Sequence, residues 1–242
     1  MSYREHAPTA ALAPWLACTW ERRDAGAAAA VRVLPDGCID IVWRRSSGSL
    51  LVGANTTAFI ADGGPASTPA PHVVGARLAP GGAPALLGVS PQDVLDQRLD
   101  LAHALGATGG RLAAALDEAG DPVAELRRWL EARARHAPAP DPLVSAAVRR
   151  LAGGAGRLDA LADDLGVSER GLRRRVTVAV GYGPKRLARV LRLRRALADA
   201  RAGAGLARAA FDAGYADQAH FSNDCRALAG VPPSALVPVP GR

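Results

Sequence analysis

Four arginines fall within six residues, at Arg170, Arg173, Arg174 and Arg175, and their spacing decides what they can do. The stretch reads as a helix over 169–179, on which positions 170, 173, 174 and 177 share one face. Leu172, Val176 and Ala179 point inward from the other side. Arg170, Arg173, Arg174 and Thr177 then form an open face. A guanidinium is a planar fork that meets guanine O6 and N7 with two parallel hydrogen bonds, worth about 1–3 kcal/mol of discrimination per good pair. Base contact is therefore the chemistry expected of Arg170, Arg173 and Arg174. Arg175 lies toward the core flank, where a phosphate or an intramolecular group is its expected partner. Ser168 is placed to N-cap the helix and to meet a phosphate.

The elements around this row position it. Leu158, Leu161, Ala162 and Leu165 recur at i, i+3, i+4 and i+7, one buried helical face. Gly166 supplies the left-handed residue that ends such a helix. Helix, tight turn and arginine-bearing second helix make a helix-turn-helix, whose second helix suits the major groove. Gly181-Tyr182-Gly183-Pro184 breaks that helix, and Pro184 opens a long one through Arg201. Lys185, Arg186 and Arg189, near its first half, are expected to contact phosphates. The pattern then repeats. Leu158, Ala162 and Gly166 recur 48 residues later as Leu206, Ala210 and Gly214, and Ser168 and Leu172 recur 49 residues later as Asp217 and Phe221. The second turn is one residue longer, Asp217 takes the N-cap, and the second recognition helix runs over 218–228. Gln218 and His220 precede the buried Phe221 and can face a groove. Two such units on one rigid helix would set their recognition helices about 34 Å apart, one DNA turn.

Charge follows the same division. Residues 1–141 hold 13 arginines against 15 acids, while residues 142–242 hold 16 arginines and Lys185 against 8 acids. A near-neutral first part and a basic second part point to a polyanionic partner for the second part alone. Cys18, Cys38 and Cys225 are odd in number and widely spaced, as buried small hydrophobes in a reducing compartment would be. His72 with Cys38 and Cys18 lacks metal-ligand spacing, so neither a metal nor another cofactor is expected. No Ser/His/Asp or Cys/His arrangement, phosphate loop or pair of catalytic carboxylates can be read, and the chain is not expected to be an enzyme. An early Glu5, the absence of a leading apolar segment and the lack of a membrane-length apolar run point to the cytoplasm, with no membrane partner.

The first part reads as strands. Expected elements are a short helix over Ala10–Trp15, a strand around Trp20 and a soft turn over Asp24–Ala30. Strands follow at Val31–Leu34, Cys38–Trp43, Leu50–Val52 and His72–Leu78, with turns at Pro35-Asp36-Gly37 and Ser46-Ser47-Gly48 and a loop over Ala61–Pro71. Asp36, Asp40 and Arg77, on or beside these strands, are expected to form a structural salt-bridged network. Helices follow at Ala83–Leu87, from Ser90-Pro91, and at Gly110–Ala119 and Pro122–Ala134. The proline-rich run from His136 to Pro142 suits a linker. The expected fold class is α+β in two domains: a small antiparallel β-roll or barrel with helices (1–136), a linker (137–141), and an all-α double helix-turn-helix (142–242).

Three stretches carry a family resemblance: LADDLGVSERGLRRRV, GYGPKRLARVLRLRRAL and AAFDAGYADQAHFSNDCRALAGVPPSAL. Over roughly residues 144–236 the chain resembles the AraC/XylS family of bacterial transcription regulators. The resemblance implies seven helices and two recognition helices entering successive major-groove segments of promoter DNA. It places base contacts at Arg170, Arg173 and Arg174, and at Gln218, Ala219, His220, Ser222 and Asn223. The chain departs from the family at Asn223-Asp224-Cys225-Arg226, where Arg-x-Phe-Lys is usual, and at Leu236-Val237, where Tyr-Arg closes the domain. The second helix thereby gains a negative charge, and the first unit is expected to supply most of the affinity. PDGCIDIVW, VVGARLAPGGAPALLGV and DQRLDL resemble the N-terminal domain of a group of AraC-type regulators. By analogy, this implies a small-molecule effector whose signal changes orientation, homodimerisation or RNA polymerase contact. Two other classes compete: an alkyl-transfer DNA-repair protein with Cys38 as acceptor, and a non-specific nucleoid-type binder.

Overall fold

A computed structural model describes residues 2–23, 30–45, 47–61, 72–154 and 156–237. Its first part is a six-stranded antiparallel sheet with a separate two-stranded ribbon. The strands are β1 (Ser2–His6), β2 (Leu16–Arg23), β3 (Val31–Val33), β4 (Ile39–Arg44), β5 (Gly48–Val52), β6 (Phe59–Ala61), β7 (His72–Leu78) and β8 (Arg98–Asp100). The large sheet is ordered β1-β2-β7-β4-β5-β8, and among the described residues β3 pairs only with β6. Alternation explains β4: Ile39, Ile41 and Trp43 are buried, while Asp40, Val42 and Arg44 face the other way, half-buried. The buried row packs on helices α1 (Gly82–Leu87), α2 (Leu101–Leu105), α3 (Ala107–Glu118) and α4 (Pro122–Ala134). Trp43 donates from Nε1 to Asp117 of α3 at 2.7 Å. The turn at Pro35-Asp36-Gly37 forms as expected, with Gly37 at φ 81° and the Asp36 carboxylate accepting from the Cys38 N–H at 2.9 Å.

The C-terminal part is helical: α5 (Pro142–Ala152), α6 (Leu158–Asp164), α7 (Glu169–Val180), α8 (Pro184–Arg201), α9 (Leu206–Asp212) and α10 (Gln218–Ala229), closed by a 3-10 turn over Pro233–Ala235. Among the described residues these are six α-helices and one 3-10 turn, where seven helices were implied. Prolines at the first helical position open α4, α5 and α8 at the expected residues, and Asp121 and Asp141 cap the first two of these. One apolar cluster runs from Leu12, Trp15 and Leu78 through α4 to Leu172, Val176 and Leu187. It joins the first helix-turn-helix to the strand-bearing part. A second cluster gathers Val190, Leu193, Phe221 and Leu228 with Leu34, which follows β3.

Two expected helices are absent. Over Ala10–Trp15 the chain makes helical turns only, with the Ala13 N–H donating to Thr9 and the Leu16 N–H to Leu12; Pro14 has no N–H to continue them. The Ser90-Pro91 opening leads to isolated turns over 91–96. The Asp96 N–H donates instead to Ala54, and the Gly53 N–H takes the Gln97 carbonyl. Asp96, at φ 57°, accepts from the Thr56 N–H and hydroxyl. Long-range bonds to the sheet thus take the groups a helix needs. Strands β1, β6 and β8 and helix α2 were not anticipated. Asp24–Ala29, Ser46 and the 62–71 stretch of the expected loop lie outside the described residues.

Candidate nucleic-acid interface

In the first unit, Leu161 and Ala162 of α6 are buried with Leu172 and Val176 of α7. The Val167 N–H reaches back to the Ala162 carbonyl at 3.0 Å with Gly166 at φ 68°, the six-to-one closure that ends a helix on glycine. Ser168 Oγ then accepts from the Gly171 N–H at 3.1 Å. The second unit repeats this bond for bond. The Tyr215 N–H donates to Ala210 at 3.0 Å, Gly214 stands at φ 84°, and Asp217 accepts from the His220 N–H at 2.7 Å. The closure recurs at an offset of 48 and the cap at 49, so Ala216 is the extra residue of the second turn.

Arg170, Arg173 and Arg174 are all exposed on α7. Arg173 pairs with Glu169 one turn back at 2.9 Å, a solvated pair worth a few tenths of a kcal/mol that an incoming base or phosphate can displace. Thr177 is half-buried, and Val178, 57 % exposed, takes its place on the open surface. Arg175 donates to Asp141 at 3.0 Å, the intramolecular one of its two expected partners. Lys185 and Arg186 are exposed at the start of α8, Arg186 reaching the Thr56 carbonyl at 3.3 Å. With Arg189, Arg192 and Arg195, Lys185 lines a cleft of about 570 Å³ between the two units.

On α10, Gln218 and Asn223 are exposed and His220 is half-buried, edge-on to Tyr215. Asp224 faces the other way. It is buried and accepts from Arg189 at 2.7 Å, Arg192 at 3.1 Å and the Tyr215 hydroxyl at 3.1 Å. The negative charge expected on the reading surface is therefore neutralised inside the unit, and Arg189 is the residue drawn away to do it. Cys225 is buried beside it in the second apolar cluster. Sequence reading also missed Arg195, which donates to Ala152 at the end of α5 (2.8 Å) and to Ala213 at the end of α9 (2.7 Å). It caps carbonyls left open at two helix ends and so ties the units together. Its place in LRLRR carries no signal that separates it from its neighbours.

The first part holds a second feature, a cavity of about 570 Å³ between the large sheet and the β3–β6 ribbon. Val31, Val33, Val42, Val52 and Phe59 give it apolar walls. At one end Arg77 meets Asp36 at 3.4 Å and Asp40 at 3.3 Å, the expected network. Burial pushes the Asp40 carboxyl up to about 7, against the pull of Arg77 and with the push of Asp36. Burial also raises the thiols, Cys18 to about 11, Cys225 to about 12 and Cys38 well above its ordinary value. A thiolate at Cys38, which alkyl transfer would need, is disfavoured. Among the described residues no His, Cys, Asp and Glu cluster could hold a metal ion, and no helix is long and apolar enough to cross a membrane.

Two exposed recognition helices in duplicate turn frames define a double helix-turn-helix reader. A family of helix-turn-helix domains matches residues 161–237, and a family described as a domain of unknown function (DUF6597) matches residues 4–100. No curated protein matches the chain. Solved structures similar to it include ToxT from Vibrio cholerae O395, at 12% identity and a TM-score of 0.47 over 90% of this chain and 95% of that one. A P21 form of ToxT from Vibrio cholerae matches at 12% identity and 0.47 over 97% of each chain. Wild-type ToxT from Vibrio cholerae strain SCE256 with unsaturated fatty acid bound matches at 12% and 0.44, over 90% and 92%. The C-terminal region is an AraC-type helix-turn-helix domain.

Proposed function

We propose that the chain recognises promoter DNA through two successive major-groove segments, α7 entering one and α10 the next. The repeated turn and cap carry this reading, because they present Arg170, Arg173 and Arg174 and then Gln218, His220 and Asn223 from equivalent frames. The α7 arginines read guanines. Ser168, Lys185 and Arg186 fix the register on phosphates, which carry affinity but no sequence. Arg189, spent on Asp224, and Arg175, spent on Asp141, serve the frame in the free protein. The division into a sensing part (1–136), a linker (137–141) and a reading part (142–242) belongs to the same proposal. Pro138 and Asp141 of the linker, bonded to Trp15 and Arg175, hold the parts in register. The cavity under the β3–β6 ribbon is the proposed effector site, having apolar walls and a few placed charges.

Competition gel shifts test this. DNA selected from a random pool by the full chain should outcompete random DNA by 10³-fold or more at physiological salt, the order typical of specific binders. Equal competition would overturn it in favour of non-specific binding.

A further inference from the structure

The open face of α7 is set by its buried row. Leu172, Val176 and Val180 are buried, at four-residue steps that keep them on one side of the helix. At 3.6 residues per turn, Arg174 and Val178 lie within about 20° of the direction opposite that row, and Arg170 within about 60°. Arg173 stands about 120° from that direction on one flank, and Arg175 about 80° from it on the other. The flanking guanidiniums are already bonded, Arg173 to Glu169 and Arg175 to Asp141. Arg170 and Arg174 have no hydrogen bond or ion pair among the described residues. The row presented outward is therefore Arg170, Arg174 and Val178, at i, i+4 and i+8.

Val178 differs from every other large apolar residue of its helix in standing open. It is 57 % exposed, while Leu172, Val176 and Val180 are buried. It borders a shallow groove of about 330 Å³ with Pro84, Ala85 and Pro140, which leaves its methyl groups uncovered. A branched side chain at an exposed helical position gains nothing from the helix, where it is less favourable than alanine. In the major groove it has one fitting partner. Thymine is the base that presents an apolar group there, its C5 methyl, as guanine presents O6 and N7 to a guanidinium. Successive members of the row are about 6 Å apart along the helix axis, against about 3.4 Å of rise per base pair.

Resting on the reading of DNA by α7, we infer that Val178 determines specificity, its isopropyl group packing on the C5 methyl of a thymine in the major groove. That thymine lies about one or two base pairs beyond the pair met by Arg174, on the side away from Arg170. The first tract is thus read by two guanidiniums and one apolar contact in a row.

Uracil differs from thymine only by that methyl, so uracil-substituted DNA tests the contact with the full chain. In DNA selected from a random pool, Arg170→Ala and Arg174→Ala mark the base pairs those residues meet, and each thymine of the tract is then replaced by uracil in turn. Replacement at the stated position should weaken wild-type binding about fourfold, the equivalent of about 0.8 kcal/mol for one buried methyl. Val178→Ala should weaken binding to the thymine site by a similar factor and should bind the thymine and uracil sites alike. Its thermal midpoint should match the wild type, because the truncated side chain is exposed. Lys185→Ala, at a phosphate contact, should weaken both sites and keep the ratio between them. No thymine at that position, uracil tolerated throughout the tract, a uracil loss that survives in Val178→Ala, or a lowered midpoint for Val178→Ala would each overturn the inference. Failure of the reading by α7 looks different: selected DNA would bind no better than random DNA, and Arg174→Ala would relax no base pair.

Discussion

Asp224 offers a test in which two lines of reasoning give opposite signs. Judged by charge alone, an acid on a recognition helix repels DNA, so Asp224→Ala should tighten binding. The structure predicts the reverse. Asp224 is 4 % exposed, and its carboxylate holds Arg189, Arg192 and the Tyr215 hydroxyl at 2.7, 3.1 and 3.1 Å. Removing one partner of a fully buried ion pair costs about 3–5 kcal/mol, because the other charge stays behind. Here the arginine side chains keep 41 % and 29 % of their exposure, so solvent screens them and the loss falls to about 2–3 kcal/mol. For a chain of this length that is a fall of roughly 4–12 °C in the thermal midpoint. DNA binding should weaken at the tract read by α10, since the helix loses its tie to α8. Asp224→Asn, which keeps an acceptor, should fall between. Thermal melts followed by circular dichroism and gel shifts on one DNA check both parts. A midpoint unchanged within 1–2 °C (about 0.5 kcal/mol) together with tighter binding would refute the reasoning.

Three further outcomes follow from the same geometry. Gly181→Ala should cost more than about 2 kcal/mol, because the residue stands at φ 96° and its Cβ would lie 2.8 Å from the Pro91 carbonyl oxygen; denaturant melts measure it. Arg174→Ala should lose about 1–3 kcal/mol of preference at one base pair, whereas Lys185→Ala should weaken all sequences alike and lower the salt slope by about 1. Binding titrations at several salt concentrations separate the two. For Asp40, held up to about 7 against an ordinary 3.8, the folded state keeps a proton that the unfolded chain has released. Its contribution is therefore full below about pH 4 and is lost as pH rises toward 7, by at most about 1.4 kcal/mol per unit. Asp40→Asn should flatten that decline in melts at pH 5 and pH 8; an equally steep decline would exclude Asp40 as its source.

What could be read from the sequence was local. Asp121-Pro122, Asp141-Pro142 and Gly183-Pro184 announce helix starts by their own chemistry, and α4, α5 and α8 begin there. The two units were legible because glycine, cap and apolar residues repeat in role as well as type. What could not be read depends on partners far along the chain. Ser90-Pro91 has the signature of a helix start, yet Ala54 and Gly53 claim the backbone groups. Asp224 looks like a surface acid until Arg189 and Arg192, a helix away, turn it inward. The β3–β6 ribbon pairs residues about thirty apart, and the Arg32–Ala229 bond that ties it to α10 spans 197 residues. No periodicity records such a contact.

The central claim is that two recognition helices read two successive major-groove segments. A hydroxyl-radical footprint of the full chain on its selected DNA, at physiological salt, tests it most directly. Two protected tracts are expected on one face of the duplex, centred about 10 base pairs apart, with Arg174→Ala weakening one and Asp217→Ala the other. A single tract, or uniform protection without sequence preference, would contradict it.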